Sequence, residues 1–155
     1  MGIELKEADI IETMNWVVDT ILIPHFMALG LNASGEWVAN VNTRAEGNTG
    51  IISGRKYTEQ LVWGRKPGKR PPISALEKWA QVKLGLSGTQ ATSAAFAIAN
   101  KIAQEGTNIY KEGGTDLLEI LEKPETQKKI AQHLQGRFTA DVQLFLEREI
   151  QKAFN

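Results

Sequence analysis

The sequence predicts an α+β domain: an N-terminal helix, a small antiparallel β-meander, then a C-terminal set of helices packed on the sheet. Three observations carry that expectation. Apolar residues recur at helical spacing through the opening segment, the spacing drops toward two between Ser34 and Gly64, and helical spacing returns after a proline-rich loop and continues to the end. A chain of 155 residues is one domain's worth, so a single domain over 1–155 is expected. Hydrophobic residues at 42% and charged residues at 23% sit near globular averages, which argues against wholesale disorder.

Met1 to Leu31 carries the first helix. Ile10, Met14, Val17, Val18, Ile21, Leu22 and His25 form its apolar stripe, with Glu7, Glu12, Asn15 and Asp19 on the remaining arc. Pro24 should kink it or end its regular hydrogen bonding, because the ring clashes with the preceding turn. Gly30 and Asn32 provide a stop. The meander follows. EWVANVNTR reads as a strand through Trp37, Val38, Val41 and Thr43, AEGNTG as a turn, and Ile51 and Ile52 as the second strand. YTEQLVW places Tyr57, Leu61 and Trp63 on one face at period two, as a third strand.

Residues 64–72, GRKPGKRPP, hold two glycines and three prolines, which excludes a central strand or a helix interior and predicts an irregular, ordered loop. Ser74 with Glu77 reads as a capping box for a helix carrying Leu76 and Trp79 to Gly85. In TQATSAAFAIANKIAQEG, Ala91, Ala95, Ile98 and Ile102 line one face, and small residues there let the helix lie close to a neighbour until Gly106 ends it. TNIYKEGG forms a second loop, and a short helix is expected from Thr115 to Leu121. The final helix, about 125–154, puts Ile130, Leu134, Phe138, Val142, Phe145 and Ile150 inward, with Gly136 weakening its middle. This helix is a candidate assembly arm. The four tryptophans, Trp16, Trp37, Trp63 and Trp79, read as core anchors, since aromatic rings bury large areas.

Catalytic and metal signatures are missing, so no catalytic residue, metal or cofactor is assigned and the chain is read as a non-enzyme. There is no cysteine, which removes disulfides, thiolate metal sites and a thiol nucleophile. His25 and His133 belong to no metal-binding spacing and read as structural or surface residues. GRKPGK lacks the glycine spacing of a phosphate-binding loop, and Arg70 stands where that loop needs Ser or Thr. Glu119 with Glu122, and Glu147 with Glu149, lie among mixed charges typical of solvated helix faces. The opening MGIELKEADI carries three acids and does not resemble a secretory signal, and the apolar run from Ile21 to Leu29 is too short to span a bilayer. No membrane partner is expected.

Charge is informative locally rather than globally. Basic and acidic residues balance at 18 each, which argues against a surface that coats nucleic acid as a whole. Between Gly54 and Arg70, however, lie Arg55, Lys56, Arg65, Lys66, Lys69 and Arg70 against the single acid Glu59, with Tyr57 and Trp63 interleaved. Two readings stand side by side: a basic edge that meets phosphate or an acidic partner, or a solvated loop whose cations keep a strand edge from pairing wrongly. Pro67, Pro71 and Pro72 preset the loop and reduce the entropy lost on docking, which favours the first.

Residues 57–86 and 95–107 resemble neck, head–tail connector or tail-completion proteins of tailed double-stranded DNA bacteriophages. Those proteins share an aromatic-bearing strand, a G-R-x-P-G-K-x-P-P loop, a helix carrying Trp, and an A-[FY]-x-I-A-x-x-I-x-x-x-G-T helix end. Here these are Tyr57, the run Gly64 to Pro72, Trp79, and Ala95 to Thr107. The resemblance implies an α+β virion subunit, made in the host bacterial cytoplasm and assembled as a homo-oligomeric ring around the DNA channel at the head–tail junction. Portal, connector or tail proteins would be its neighbours, with nonspecific contact to packaged DNA. Arg65, Lys66, Lys69, Arg70, Arg55 and Lys56 would then meet a neighbouring subunit or the channel, while Gly64, Pro67, Gly68, Pro71 and Pro72 hold the loop's shape. A small nucleic-acid-binding module using the same Arg55–Arg70 stretch is the alternative.

Overall fold

The structure, a computed structural model, describes residues 5–154. Its class is α+β: an N-terminal helix, a two-stranded antiparallel sheet, then C-terminal helices. The described residues gather into two compact units. The first takes the chain up to Pro24, Asn42–Ser53, and everything from Glu119 onward; the second takes His25–Val41 and Gly54–Leu118.

In the first unit, α1 (Glu7–Val17) buries Ile10 and Val17 together with Asp9 and Thr13. The expected helix before residue 5 lies outside the described residues. Regular α-hydrogen bonding stops at Val18–Leu22, a π-helical turn in which the Ile23 amide reaches back to the Val18 carbonyl, and α2 (Ile23–Ala28) follows. Pro24 accounts for this, since it has no N–H to donate and its ring needs room beside the previous turn. Strands β1 (Asn42–Glu46) and β2 (Thr49–Ser53) pair from Asn42↔Ser53 to Glu46↔Thr49. Gly47, at φ +58, opens the two-residue turn between them, as a hairpin turn with positive φ at its first central position requires.

The hairpin lies against α1. Thr43 Oγ1 donates to Asn15 Oδ1, and the Gly47 amide donates to Glu7 Oε1 at 3.1 Å. A side chain at Gly50 would meet Met14 Sδ at 2.6 Å, so strand and helix touch there without a gap. Helix α8 (Pro124–Phe154) opens with proline at its first position, where a missing N–H does no harm. It runs antiparallel to α1, with His133 Nε2 2.8 Å from Glu12 Oε2 and its ring stacked on Trp16 at 4.3 Å. Both histidines are thus engaged structurally, His25 pairing with Asp116 at 2.7 Å within the second unit. Ile130, Leu134, Phe138, Val142 and Phe145 are half-buried, whereas Ile150 is 57% exposed rather than inward.

The second unit corrects the expected meander. Trp37 and Val38 belong to a helical turn, α3 (Glu36–Ala39), and YTEQLVW is no third strand but helix α4 (Thr58–Trp63). The reason lies with Trp37, which stacks on Phe26 at 4.3 Å and donates from Nε1 to Thr58 Oγ1 at 2.9 Å. The Thr58 hydroxyl in turn donates to the Arg55 carbonyl at 2.6 Å, closing the first turn of α4. Trp37 is a core anchor, but Trp63 and Trp79 are 59% and 39% exposed and are not.

Helices α5 (Ile73–Lys83) and α6 (Gly88–Glu105) form a hairpin seamed by Ala80, Ala91, Ala95 and Ala99, each at most 1% exposed. The small side chains allow the close approach expected of them. Ser74 is not the cap of α5. Pro72 takes that place, with Ser74 already inside the helix. One-turn helix α7 (Asn108–Lys111) replaces part of the expected second loop, and a 3₁₀ turn at Glu119–Leu121 stands where a short helix from Thr115 was expected.

Candidate interaction loop

Gly64–Pro72 is irregular, as its glycines and prolines dictate, and its backbone is held tightly at one end. Gly64 has φ 78 and ψ −171, a conformation essentially reserved for glycine. A side chain there would run into the backbone N of Tyr110. Arg65 then makes two bonds to one residue: its amide donates to Thr107 Oγ1 at 2.9 Å, and its carbonyl accepts from the Thr107 amide at 3.0 Å. The Gly68 amide donates to the Ala103 carbonyl at 2.8 Å. Gly106, at φ 81 and ψ 177, is the counterpart on α6; a Cβ there would lie 2.8 Å from the Arg65 carbonyl oxygen and 3.1 Å from Pro67 Cδ. Glycines on both sides of the seam are needed for the two backbones to approach this closely.

Thr107 is the residue that sequence reasoning undervalued. It also caps α7, its Oγ1 accepting from the Tyr110 amide at 3.3 Å. Its signal was present, since a threonine directly after a helix-ending glycine is well placed to cap a following turn. Thr115 performs a similar service for α4, donating from Oγ1 to the Leu61 carbonyl at 2.8 Å and from its amide to the Val62 carbonyl at 2.6 Å.

The cations divide into engaged and free. Arg55 pairs with Glu36 at 3.1 Å, and the Arg65 guanidinium donates to the Arg70 carbonyl at 3.3 Å, tying the loop to itself. Lys56, Lys66, Lys69 and Arg70 are exposed and have no ion-pair partner among the described residues. Residues 58–63 are helical, so the third strand whose edge these cations were expected to shield is not formed. Pro67 and Gly68 are exposed at the loop's crest, while Pro71 is half-buried.

Beside the loop lies an open cleft of ≈ 640 Å³ whose walls include Trp37, Tyr57, Arg65, Pro71, Pro72 and Trp79. Burial holds the Tyr57 hydroxyl above the usual tyrosine range, helped by the Glu36 carboxylate and opposed by Arg55. Lys66 borders a smaller recess of ≈ 280 Å³ with Trp63 and Tyr110. Among the described residues no cluster of three or more His, Asp or Glu could hold a metal ion, and no helix is long and apolar enough to cross a membrane. No protein-family model, curated protein or solved structure gives a significant match to this chain.

Proposed function

We propose that this chain is a structural, non-catalytic subunit of a tailed-phage virion, part of a ring at the head–tail junction around the DNA channel. Gly64–Pro72 is its assembly contact. The observation that carries the reading is the coupling of the loop to the end of α6. The loop and the end of α6, two of the features on which the resemblance rests, stand 42 residues apart at Arg65 and Thr107, yet they share the Arg65–Thr107 pair of hydrogen bonds, the Gly68–Ala103 bond and the Gly106 close approach. They act as one device that presents Lys66, Lys69 and Arg70 on a backbone already ordered, so docking costs little conformational entropy.

A ring requires one heterologous interface per subunit, a surface patch fitting a different patch on the next copy. An ordered cationic loop suits one side of such an interface, meeting carboxylates of a neighbour. The test is Lys69→Glu with Arg70→Glu in the phage genome. Because both side chains are exposed and unpaired, the isolated protein should keep its fold within about 0.5 kcal/mol per site. The reading expects failure of particle assembly or of genome retention, and antibody against the chain should decorate wild-type particles between head and tail. Normal infectious titre from the double variant would remove the loop's role; particles lacking the chain would remove the reading altogether.

A further inference from the structure

Helices α1 and α8 of the first unit meet along a row of charged side chains. Arg137 Nη2 lies 3.2 Å from Asp9 Oδ1 and its Nε 3.5 Å from Glu12 Oε2, while Lys6 Nζ lies 4.0 Å from Asp141 Oδ1. Each aspartate therefore has its Oδ1 facing a cation. The other oxygen is the anomaly: Asp9 Oδ2 and Asp141 Oδ2 are both buried, and neither has a hydrogen-bond donor. Asp9 as a whole is only 3% exposed. Thr13, one turn along α1, offers no remedy, since its own buried hydroxyl is also unpartnered. Lys6 stands three residues before Asp9 and Asp141 four after Arg137, so these ion pairs bring the two aspartates to the same stretch of the α1–α8 interface, where one proton held between them would satisfy both orphaned oxygens at once.

We propose that Asp9 and Asp141 share a single proton, forming an acid–carboxylate latch between α1 and α8 that loosens when the proton is lost. Two ionised carboxylates in contact repel, and leaving both without a donor costs the full desolvation of each. The hydrogen bond to Asp141, then burial and the Asp141 charge, hold Asp9 above the usual carboxylate range, with Arg137 pulling the other way. The sign follows. A group whose pKa is raised on folding contributes stability below its unfolded value and loses it as pH rises through the folded value. The latch therefore holds at acid pH and opens toward alkaline pH.

The surrounding groups do not supply the missing donor. On α1, Glu7 accepts from the Gly47 amide and Glu12 faces His133 and Arg137. On β1, Arg44 and Glu46 pair with each other at 3.4 Å, and β2 carries no titratable side chain. His133 pairs with Glu12 across the same two helices, so the test must isolate the aspartates.

The first measurement is a carboxyl-carbon NMR titration of the wild-type full chain, with Asp9 expected to titrate above the ordinary aspartate range. The second is amide exchange along α8, corrected for intrinsic rates, in wild type and Asp141→Asn. The asparagine amide donates permanently to Asp9 Oδ2 and leaves the Arg137 pair intact. Wild-type opening should rise about tenfold for each pH unit between the unfolded and folded values, and the variant should lose that rise. Asp9 titrating at or below the usual range, or an Asp141→Asn chain with unaltered pH dependence, would overturn the proposal. If that variant fails to fold, the wild-type titration decides alone.

Discussion

Replacing Gly106 by alanine is the most direct test of how the loop is held. At φ 81 and ψ 177 the residue occupies a region essentially closed to side-chain-bearing residues, a cost of about 1–3 kcal/mol. The new Cβ would also sit 2.8 Å from the Arg65 carbonyl oxygen and 2.8 Å from Tyr110 Cδ1. The first neighbour is backbone and cannot swing aside, so Arg65 must retreat from Thr107 and weaken their paired hydrogen bonds by about 1 kcal/mol. The sum is about 2–4 kcal/mol. Urea unfolding followed by tryptophan fluorescence measures it, with Gly85→Ala as the control. Gly85 also has positive φ, +67, but nothing within 4 Å of its missing side chain, so backbone strain acts alone and costs about 1–2 kcal/mol. Amide exchange at Gly68 and Thr107 should accelerate in Gly106→Ala and stay unchanged in Gly85→Ala. Equal destabilisation by the two substitutions, with the Gly68 amide still protected, would refute the close-approach argument.

The same seam makes Thr107→Ala costly by about 1–3 kcal/mol, through the lost α7 cap and the stranded Arg65 amide, with Thr107→Ser recovering most of it in the same urea assay. In the α5–α6 hairpin, Ala95→Leu should destabilise by about 1–3 kcal/mol in thermal unfolding because Ala95 is fully buried, whereas Ala97→Leu on the exposed face should shift stability by under about 0.5 kcal/mol. Tyr57 should ionise above the ordinary tyrosine value in a 295 nm absorbance titration. Its raised pKa means that the stability it contributes is present through neutral pH and lost only as alkaline pH passes the folded value. A Tyr57 transition at or below that of denatured protein would contradict its burial.

Helices were legible where apolar spacing persisted over several turns. The Ala91–Ala95 face of α6, the α8 span and the break before Pro24 follow from residues whose preferences agree with their surroundings, whereas α5 packs through Ala80 and leaves Trp79 and Val82 exposed. The meander misled because six or seven residues fit either period. In YTEQLVW, Tyr57, Leu61 and Trp63 satisfy a strand's alternation, yet the Thr58 hydroxyl closes a helical turn onto Arg55 and Thr115 occupies the last carbonyls. Those partners come from outside the segment, and a local pattern cannot contain them. Trp37 repeats the lesson, since its helical turn is set by Phe26 and Thr58 rather than by the Val38 and Val41 that follow it.

The loop itself was legible because glycine and proline constrain backbone wherever they stand. Its cations were harder to sort. Six basic residues look equivalent in sequence, but Arg55 is spent on Glu36 and Arg65 on its own loop, leaving Lys56, Lys66, Lys69 and Arg70 without an ion-pair partner among the described residues. That division changes what charge reversal tests. Arg55→Glu would break an exposed ion pair and set two acids side by side, a cost of up to about 1 kcal/mol, so loss of assembly in that variant would mix a local change with an interface effect. Lys69 and Arg70 have no such entanglement, and a phenotype from reversing them reports on what the loop meets outside its own chain.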